Sequence, residues 1–313
     1  MEYRKFINDA PDVSVIGIGA WQLGESKDWE SMTDKESEEL IQKSLQLGIN
    51  FFDTAPNYGY GTSETRLGNA LKNVKREEIV INTKFGHPST GGVNFESSHI
   101  RESLEGSLKR LGTDYVDALI IHNPPTKYLD GRITDHYEIL ERLQTEGKIK
   151  EYGASLDTYD DMKLFMETTN GKVIEAFFNI LHQDSSRAFE MAKEKGVGII
   201  VKIPLDSGWL SGKYNAESTF SDIRKRWSKS DIEQRAKLVE SVKQILGSDE
   251  RIIEKSISFC FSFDAVSTVI PGNKSISQLL KNVASLDHQV TEEEKAKLIE
   301  FYFNEVEGLK IPW

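Results

Sequence analysis

Cysteine is almost missing from this chain, with one residue, Cys260, in 313. That excludes an internal disulfide and the metal sites built on paired cysteines. In ISFCFSF the single thiol reads as a small buried apolar side chain. Long apolar runs are missing as well, and no stretch of about 18 apolar residues offers a transmembrane helix. The opening MEYRKFINDA lacks the apolar core of a signal peptide, and the ending LKIPW carries no lipidation signal. A cytoplasmic protein is the expectation. Basic residues are in the minority: 39 Lys and Arg against 50 Asp and Glu give a formal net charge of −11. That balance argues against nucleic acid or an anionic membrane as partner. His87, His99, His136, His182 and His288 show no metal-ligand spacing, and no metal is expected. Low-complexity linkers are absent, so one domain over residues 1–313 is expected.

What is present is an ordinary globular composition, 38% hydrophobic and 28% charged, with length enough for a large core. Short β-rich apolar runs alternate with amphipathic helical patterns. The runs are Val13–Trp21, Asn50–Thr54, Glu78–Lys84, Tyr115–His122, Ile149–Ser155, Val173–Asn179, Gly198–Pro204 and Val266–Gly272. Between them the helical spacing predicts Asp34–Leu47, Glu64–Leu71, Ser97–Leu111, Asp135–Glu146, Tyr159–Thr168 and Ser186–Lys195. A long polar connection with one or two helices follows the seventh run, and Ser277–Leu286 closes the pattern. Thr291 to Glu294 reads as a helix start with a capping box.

Eight such units predict an α/β fold, a (β/α)8 TIM barrel with an extended loop and helix insertion after strand seven. Tyr3–Ile7 would add a short N-terminal β-hairpin cap over the barrel floor. An open doubly wound sheet is the alternative, but Gly17, Gly19 and Gly24 lack its glycine spacing.

The barrel reading gives the unusual residues a common address, because active sites of such barrels lie at the C-terminal strand ends. Asp53 ends strand two, Lys84 ends strand three and His122 ends strand four. Tyr58 follows strand two in PNYGYG. An ionisable group at the end of an apolar run is costly unless paired. A phenol titrates near 10 in water, and a lysine ammonium beside it would favour the phenolate. Aspartate would hold that lysine charged, and a neutral histidine would polarise a carbonyl oxygen. The group suits protonation of an oxygen that gains charge as hydride reaches carbon.

GINFFDTAPNYGYGTSETRLGNAL (Gly48 to Leu71) resembles the first signature of the aldo-keto reductase family. INTKFG resembles its lysine strand and DALIIHNPP its histidine strand. GKIKEYGAS, PLDSGWLSGKY and VIPGNKSISQLLKNV resemble three later segments, in the family's order. The resemblance implies NADP(H) bound in extended form and direct hydride transfer between nicotinamide and a small carbonyl or alcohol substrate. It implies Tyr58 as general acid, Asp53 and Lys84 as its tuning partners, and His122, with Trp21 and Tyr58, as substrate-binding residues. The implied cofactor residues begin with Gly19, Trp21 and Asp53. Ser155 falls at the nicotinamide carboxamide, with Glu175 and Lys202 nearby. Pro204, Leu205, Ser207, Leu210 and Lys213 fall near the pyrophosphate. Gly272, Lys274, Ser275, Gln278 and Asn282 fall at the adenosine end, where Lys274 would meet the 2′-phosphate and a helix N-terminus near Ser277 would assist.

Three positions depart from the family pattern. Leu156 stands for an asparagine, Glu175 for a glutamine, and Lys202 for the aromatic residue that stacks on nicotinamide. Trp21 or Trp209 would then have to supply the stack, while Lys202 would reach a phosphate or a substrate anion. These departures leave open a cofactor-sensing regulatory or binding subunit of the same fold. A Schiff-base role for Lys84 is a further alternative. The basic segment Arg224–Lys229 reads as a solvated loop, a lid over the cofactor or, least well, a nucleic-acid patch. Trp29 and Trp313 would line a substrate pocket or pack.

Overall fold

Eight short strands run parallel in one sheet, in the order of the chain: β3 (Ile18–Gly19), β4 (Phe51–Asp53), β5 (Val80–Phe85), β6 (Val116–Ile121), β7 (Ile149–Leu156), β8 (Val173–Phe177), β9 (Gly198–Lys202) and β10 (Val266–Val269). The computed structural model describes residues 1–26, 31–247 and 250–312. Trp29 and Trp313 lie outside the described residues. Parallel bridges Ile16–Val269 and Gly19–Gly272 join the first strand to the last and close the barrel. Gly17 donates its N–H to the Val269 carbonyl at 2.8 Å, and Val269 donates to the Val15 carbonyl at 2.9 Å. A Cβ at Gly17 would stand 2.9 Å from the Phe51 ring, so glycine permits the seam.

The helices form the outer shell: α1 (Asp34–Gln46), α2 (Thr62–Leu71), α3 (Ile100–Leu111), α4 (His136–Thr145), α5 (Tyr159–Thr168), α6 (Phe189–Glu194), α7 (Lys229–Leu246), α8 (Ile252–Phe261), α9 (Ile276–Val283) and α10 (Glu292–Phe301). Their starts follow sequence chemistry. Thr33, Ser228 and Thr291 each close a capping box with the acidic residue three positions on, which satisfies N–H groups that the first turn leaves unpaired. The predicted insertion after strand seven is present as a tight turn, a one-turn helix over Ile223–Arg226, and then α7 and α8. Among the described residues no helix is long and apolar enough to cross a membrane.

The N-terminal cap is also present. β1 (Tyr3–Arg4) pairs antiparallel with β2 (Val13–Ser14). Phe6, Ile7 and Val13 pack beneath the barrel with Phe51, Val80, Ala118, Ile120, Val173, Ile200 and Ile270. The predicted first strand, Val13–Trp21, is therefore divided. Its start serves the cap, its middle serves the barrel, and Ala20–Leu23 turns as a short 3-10 helix. The periodic apolar pattern is the same in all three settings, so it could not mark the break. Ser186–Lys195 is likewise split, into a 3-10 turn over Asp184–Ala188 and the short α6.

Candidate active site

Successive inward positions of a barrel strand lie two residues apart. On β4 the interior position after Phe51 is Asp53. On β5, Val80 is followed by Asn82 and Lys84, and on β6, Ala118 and Ile120 lead to His122. On β8 and β9, Val173 leads to Glu175 and Ile200 to Lys202. The polar member of each series falls at the C-terminal mouth, and Asp53, Lys84, His122, Glu175 and Lys202 are all buried there.

Lys84 is the hub. Its Nζ donates to Asp53 Oδ1 at 2.6 Å and to the Thr54 carbonyl at 3.1 Å. It also lies 3.1 Å from Glu175 Oε2. Asn82 donates its amide to the same Asp53 oxygen at 2.6 Å. The Tyr58 ring sits with its centroid 5.1 Å from the Lys84 ammonium and 5.8 Å from the His122 ring, edge to face. The Trp21 ring lies 6.2 Å from that of Tyr58. The four residues singled out in the sequence thus meet at one place. Tyr58 is held there by two close backbone approaches. A Cβ on Gly24 would meet the Tyr58 carbonyl carbon at 2.7 Å, and one on Gly59 would meet the Glu25 nitrogen at 2.3 Å.

Burial decides the electrostatics. Desolvation would lower the Lys84 ammonium's pKa, but Asp53 and Glu175 outweigh it and hold the value well above the ordinary range. That charged state opposes a Schiff-base role, which needs a free amine. Burial and the Glu175 charge push Asp53 up to about 7, against the pull of Lys84. The Tyr58 phenol is also raised, by burial first, with Lys84 pulling down and both carboxylates pushing up. The expectation of a lowered phenol pKa is therefore corrected. The lysine acts in that direction but is outweighed. Burial and the nearby Lys84, His87 and Lys202 charges hold His122 well below 6.5, so it is a neutral imidazole. His87, unassigned in the sequence, joins it: its Nε2 lies 3.1 Å from the His122 carbonyl oxygen.

The unusual positions turn out to be coupled. Lys202 Nζ donates to Asn123 Oδ1 at 2.7 Å and to Ser155 Oγ at 2.8 Å, and pairs with Asp157 at 2.8 Å. Ser155 in turn reaches Asn123 Oδ1 at 2.9 Å and Glu175 Oε1 at 3.3 Å. The buried Lys202 cation is thus offset by the exposed Asp157, with Asn123 and Ser155 as further acceptors, and Ser155 stands between it and Glu175. Trp209 cannot supply the nicotinamide stack: it is fully buried among Tyr214, Phe220 and Trp227. Trp21 remains at the mouth, part-buried. Leu156 is buried in the shell core.

Beyond β9 the chain turns sharply. Asp206 and Ser207 have φ of 44° and 54°, followed by Gly208 at 95°. Left-handed backbone costs a non-glycine residue about 1–3 kcal/mol. Asp206 is held in it by a buried ion pair, its Oδ2 accepting from Arg235 Nε at 3.1 Å. Pro204 and Leu210 are buried, Leu205 and Ser207 are partly so, and Lys213 is exposed. Leu210 packs in the shell core, which leaves only its backbone for a ligand.

The adenosine-end residues gather at the start of α9, one residue earlier than predicted. Ser275 caps the helix by accepting from the Gln278 N–H at 3.2 Å, and the Gln278 side chain accepts from the Lys274 N–H at 2.8 Å. Asn282 is buried, donating to Asn273 Oδ1 at 2.8 Å, while Gly272 is exposed. The basic segment folds against the turn below it. Arg224 pairs with Asp222 and approaches the Ser207 carbonyl at 3.4 Å, and Trp227 is buried. Lys274 is lowered by burial and then by the Arg224 charge. Two cations that disfavour each other beside a capped helix start fit an anionic phosphate. The donor set at the opposite end, Ser155 with Asn123, fits a carboxamide.

An eight-stranded parallel barrel with its ionisable side chains collected at one mouth is the architecture of a barrel enzyme. Residues 15–302 match the model of the aldo/keto reductase family, and the chain belongs to that family, whose members are oxidoreductases using a nicotinamide cofactor. It is similar to the L-galactose dehydrogenase of Arabidopsis thaliana, 28% identical over all of this chain and 95% of that one. It is 26% identical to the NADH-specific methylglyoxal reductase of Escherichia coli (strain K12), over 88% of this chain and 90% of that one. The holo form of an aldo-keto reductase from Bacillus halodurans superposes with a TM-score of 0.80 at 26% identity, covering 99% of this chain and 100% of that one.

Proposed function

We propose that this protein is a cytoplasmic, single-domain NADPH-dependent reductase of a small aldehyde, ketone or sugar carbonyl, working also in reverse on the alcohol. The observation that carries the reading is the convergence of Tyr58, Lys84, Asp53 and His122 at the barrel mouth. The bound cofactor would supply the hydride. Lys274, Ser275 and Gln278 would hold its phosphate end, with Arg224 close by, and Ser155 and Asn123 its carboxamide. The neutral His122 orients the substrate oxygen and polarises it without competing as an acid. Tyr58 donates the proton to that oxygen, and the Lys84 ammonium stabilises the phenolate left behind. Asp53 keeps Lys84 charged and aimed. Trp21, Tyr58 and His122 line the substrate end.

Fluorescence titration with NADPH and NADH, followed by a screen of small carbonyls, tests the reading. Expected are preferential NADPH binding and turnover of at least one carbonyl. NADH preference, as in the Escherichia coli relative, would revise the coenzyme; binding without any turnover would favour a cofactor-sensing subunit.

A further inference from the structure

The carboxylate of Glu175 spans two neighbours, its Oε1 3.3 Å from Ser155 Oγ and its Oε2 turned toward the lysine. Lys84 Nζ lies 2.6 Å from Asp53 Oδ1 and 3.1 Å from Glu175 Oε2. Lys84 is 0% exposed, and Asp53 and Glu175 are each 2% exposed. One ammonium therefore serves two desolvated carboxylates, and two like charges so placed resist being ionised together. The hydrogen-bond inventory does not relieve them. Asn82 adds a donor to the oxygen of Asp53 that Lys84 already serves. Ser155 Oγ, with one proton to give, is nearer to Asn123 at 2.9 Å than to Glu175 at 3.3 Å. The other groups facing the pair do not supply a second cation in contact with it. His122 is a neutral imidazole, and burial likewise keeps the His87 ring below its ordinary value. Lys202 is separated from Glu175 by Ser155 and is paired with Asp157. Tyr58, its phenol raised by burial, stays neutral and adds no cation.

We propose that Asp53, crowded by Glu175 against the one Lys84 ammonium, holds an exchangeable proton, and that Glu175 is thereby a positioning residue governing the ionisation of Tyr58. This inference rests on the role given above to Tyr58. The proton balance is closed. Tyr58 gives its proton to the substrate oxygen; the phenolate takes one from the Lys84 ammonium; the neutral amine takes the proton held by Asp53. The site ends with Tyr58 and Lys84 restored and both carboxylates ionised, and solvent returns the missing proton. A titration of Asp53 near 7 accords with this arrangement. A glutamine at position 175 would leave Lys84 to Asp53 alone and remove the store.

The test is a carboxyl carbon NMR titration of the full chain without cofactor, labelled at Asp and Glu, with Asp53→Asn and Glu175→Gln for assignment. Asp53 should titrate near 7 in the native protein. In Glu175→Gln, Asp53 should stay ionised about two units lower, a roughly hundredfold change in its ionisation constant. An Asp53 titration unmoved by Glu175→Gln, or one within the usual carboxylate range in the native protein, overturns the proposal. This readout needs no turnover, so failure to reduce any carbonyl would count against the functional reading and not against the proton on Asp53. In an active enzyme, the rate profile should carry an inflection near 7 that Glu175→Asp retains and Glu175→Gln loses. A uniform drop in rate with the inflection unmoved contradicts the proposal, and Glu175→Asp keeps it testable if the glutamine variant folds poorly.

Discussion

At the floor of the barrel, Phe51, Val80, Ala118, Ile120, Val173 and Ile200 close against Phe6 and Ile7 of the N-terminal cap. A step or two along the same strands stand Asp53, Lys84, His122, Glu175 and Lys202, equally buried. Secondary structure and burial are alike at the two ends; only the chemistry of the inward side chain changes. The apolar end returns free energy for every side chain it buries. The polar end must offset the cost of each buried charge with a partner: Lys202 has Asp157, and Asp53 and Glu175 have the one Lys84 ammonium. One end supplies the stability that the other consumes, and the comparison separates residues whose loss unfolds the protein from residues whose loss silences it.

That separation can be broken by substitution. Phe51→Ala removes a fully buried ring packed 5.3 Å from Phe6. It should cost about 3–5 kcal/mol in urea unfolding, while turnover by the folded fraction in the cold changes little. A large loss of turnover with stability intact would merge the two ends. Lys274→Ala removes an exposed lysine of the proposed cofactor region, outside the core. It should weaken NADPH roughly tenfold in fluorescence titration, a loss of about 1.4 kcal/mol, and leave NADH nearly unaffected. Equal weakening of both would remove Lys274 from the 2′-phosphate. Thr33→Ala, far out on the shell, deletes the cap of α1. It should cost about 1 kcal/mol by thermal or urea unfolding and leave kcat/KM unchanged; any change in kcat/KM would mean that the shell feeds into the site.

The alternation of strand and helix was legible because both periods are written in the apolar residues, and the proposed catalytic positions stood out because charges interrupt apolar runs. The capping box at Thr291 and the burial of Cys260 were equally local, and both are present. What sequence could not carry was long-range. The division of Val13–Trp21 depends on which strands it meets. Asn123, Asp157 and His87 lie in loops after strands, so no period marks them, and their roles arise from Lys202 and His122 arriving from elsewhere. Asn82 was the readable omission, since it sits between Val80 and Lys84 on the inward register. Trp209 was a candidate for the mouth because of its place in the chain, but its aromatic neighbours Tyr214, Phe220 and Trp227 draw it into the shell.

The central claim is that the mouth acts on a carbonyl through the Tyr58 hydroxyl. The direct measurement pairs NADPH binding with single-turnover carbonyl reduction in the native protein and in Tyr58→Phe. The account predicts cofactor affinity within about twofold and a reduction rate lower by about 10²–10⁴-fold, the range of a lost general acid. Full turnover in the phenylalanine variant would contradict it.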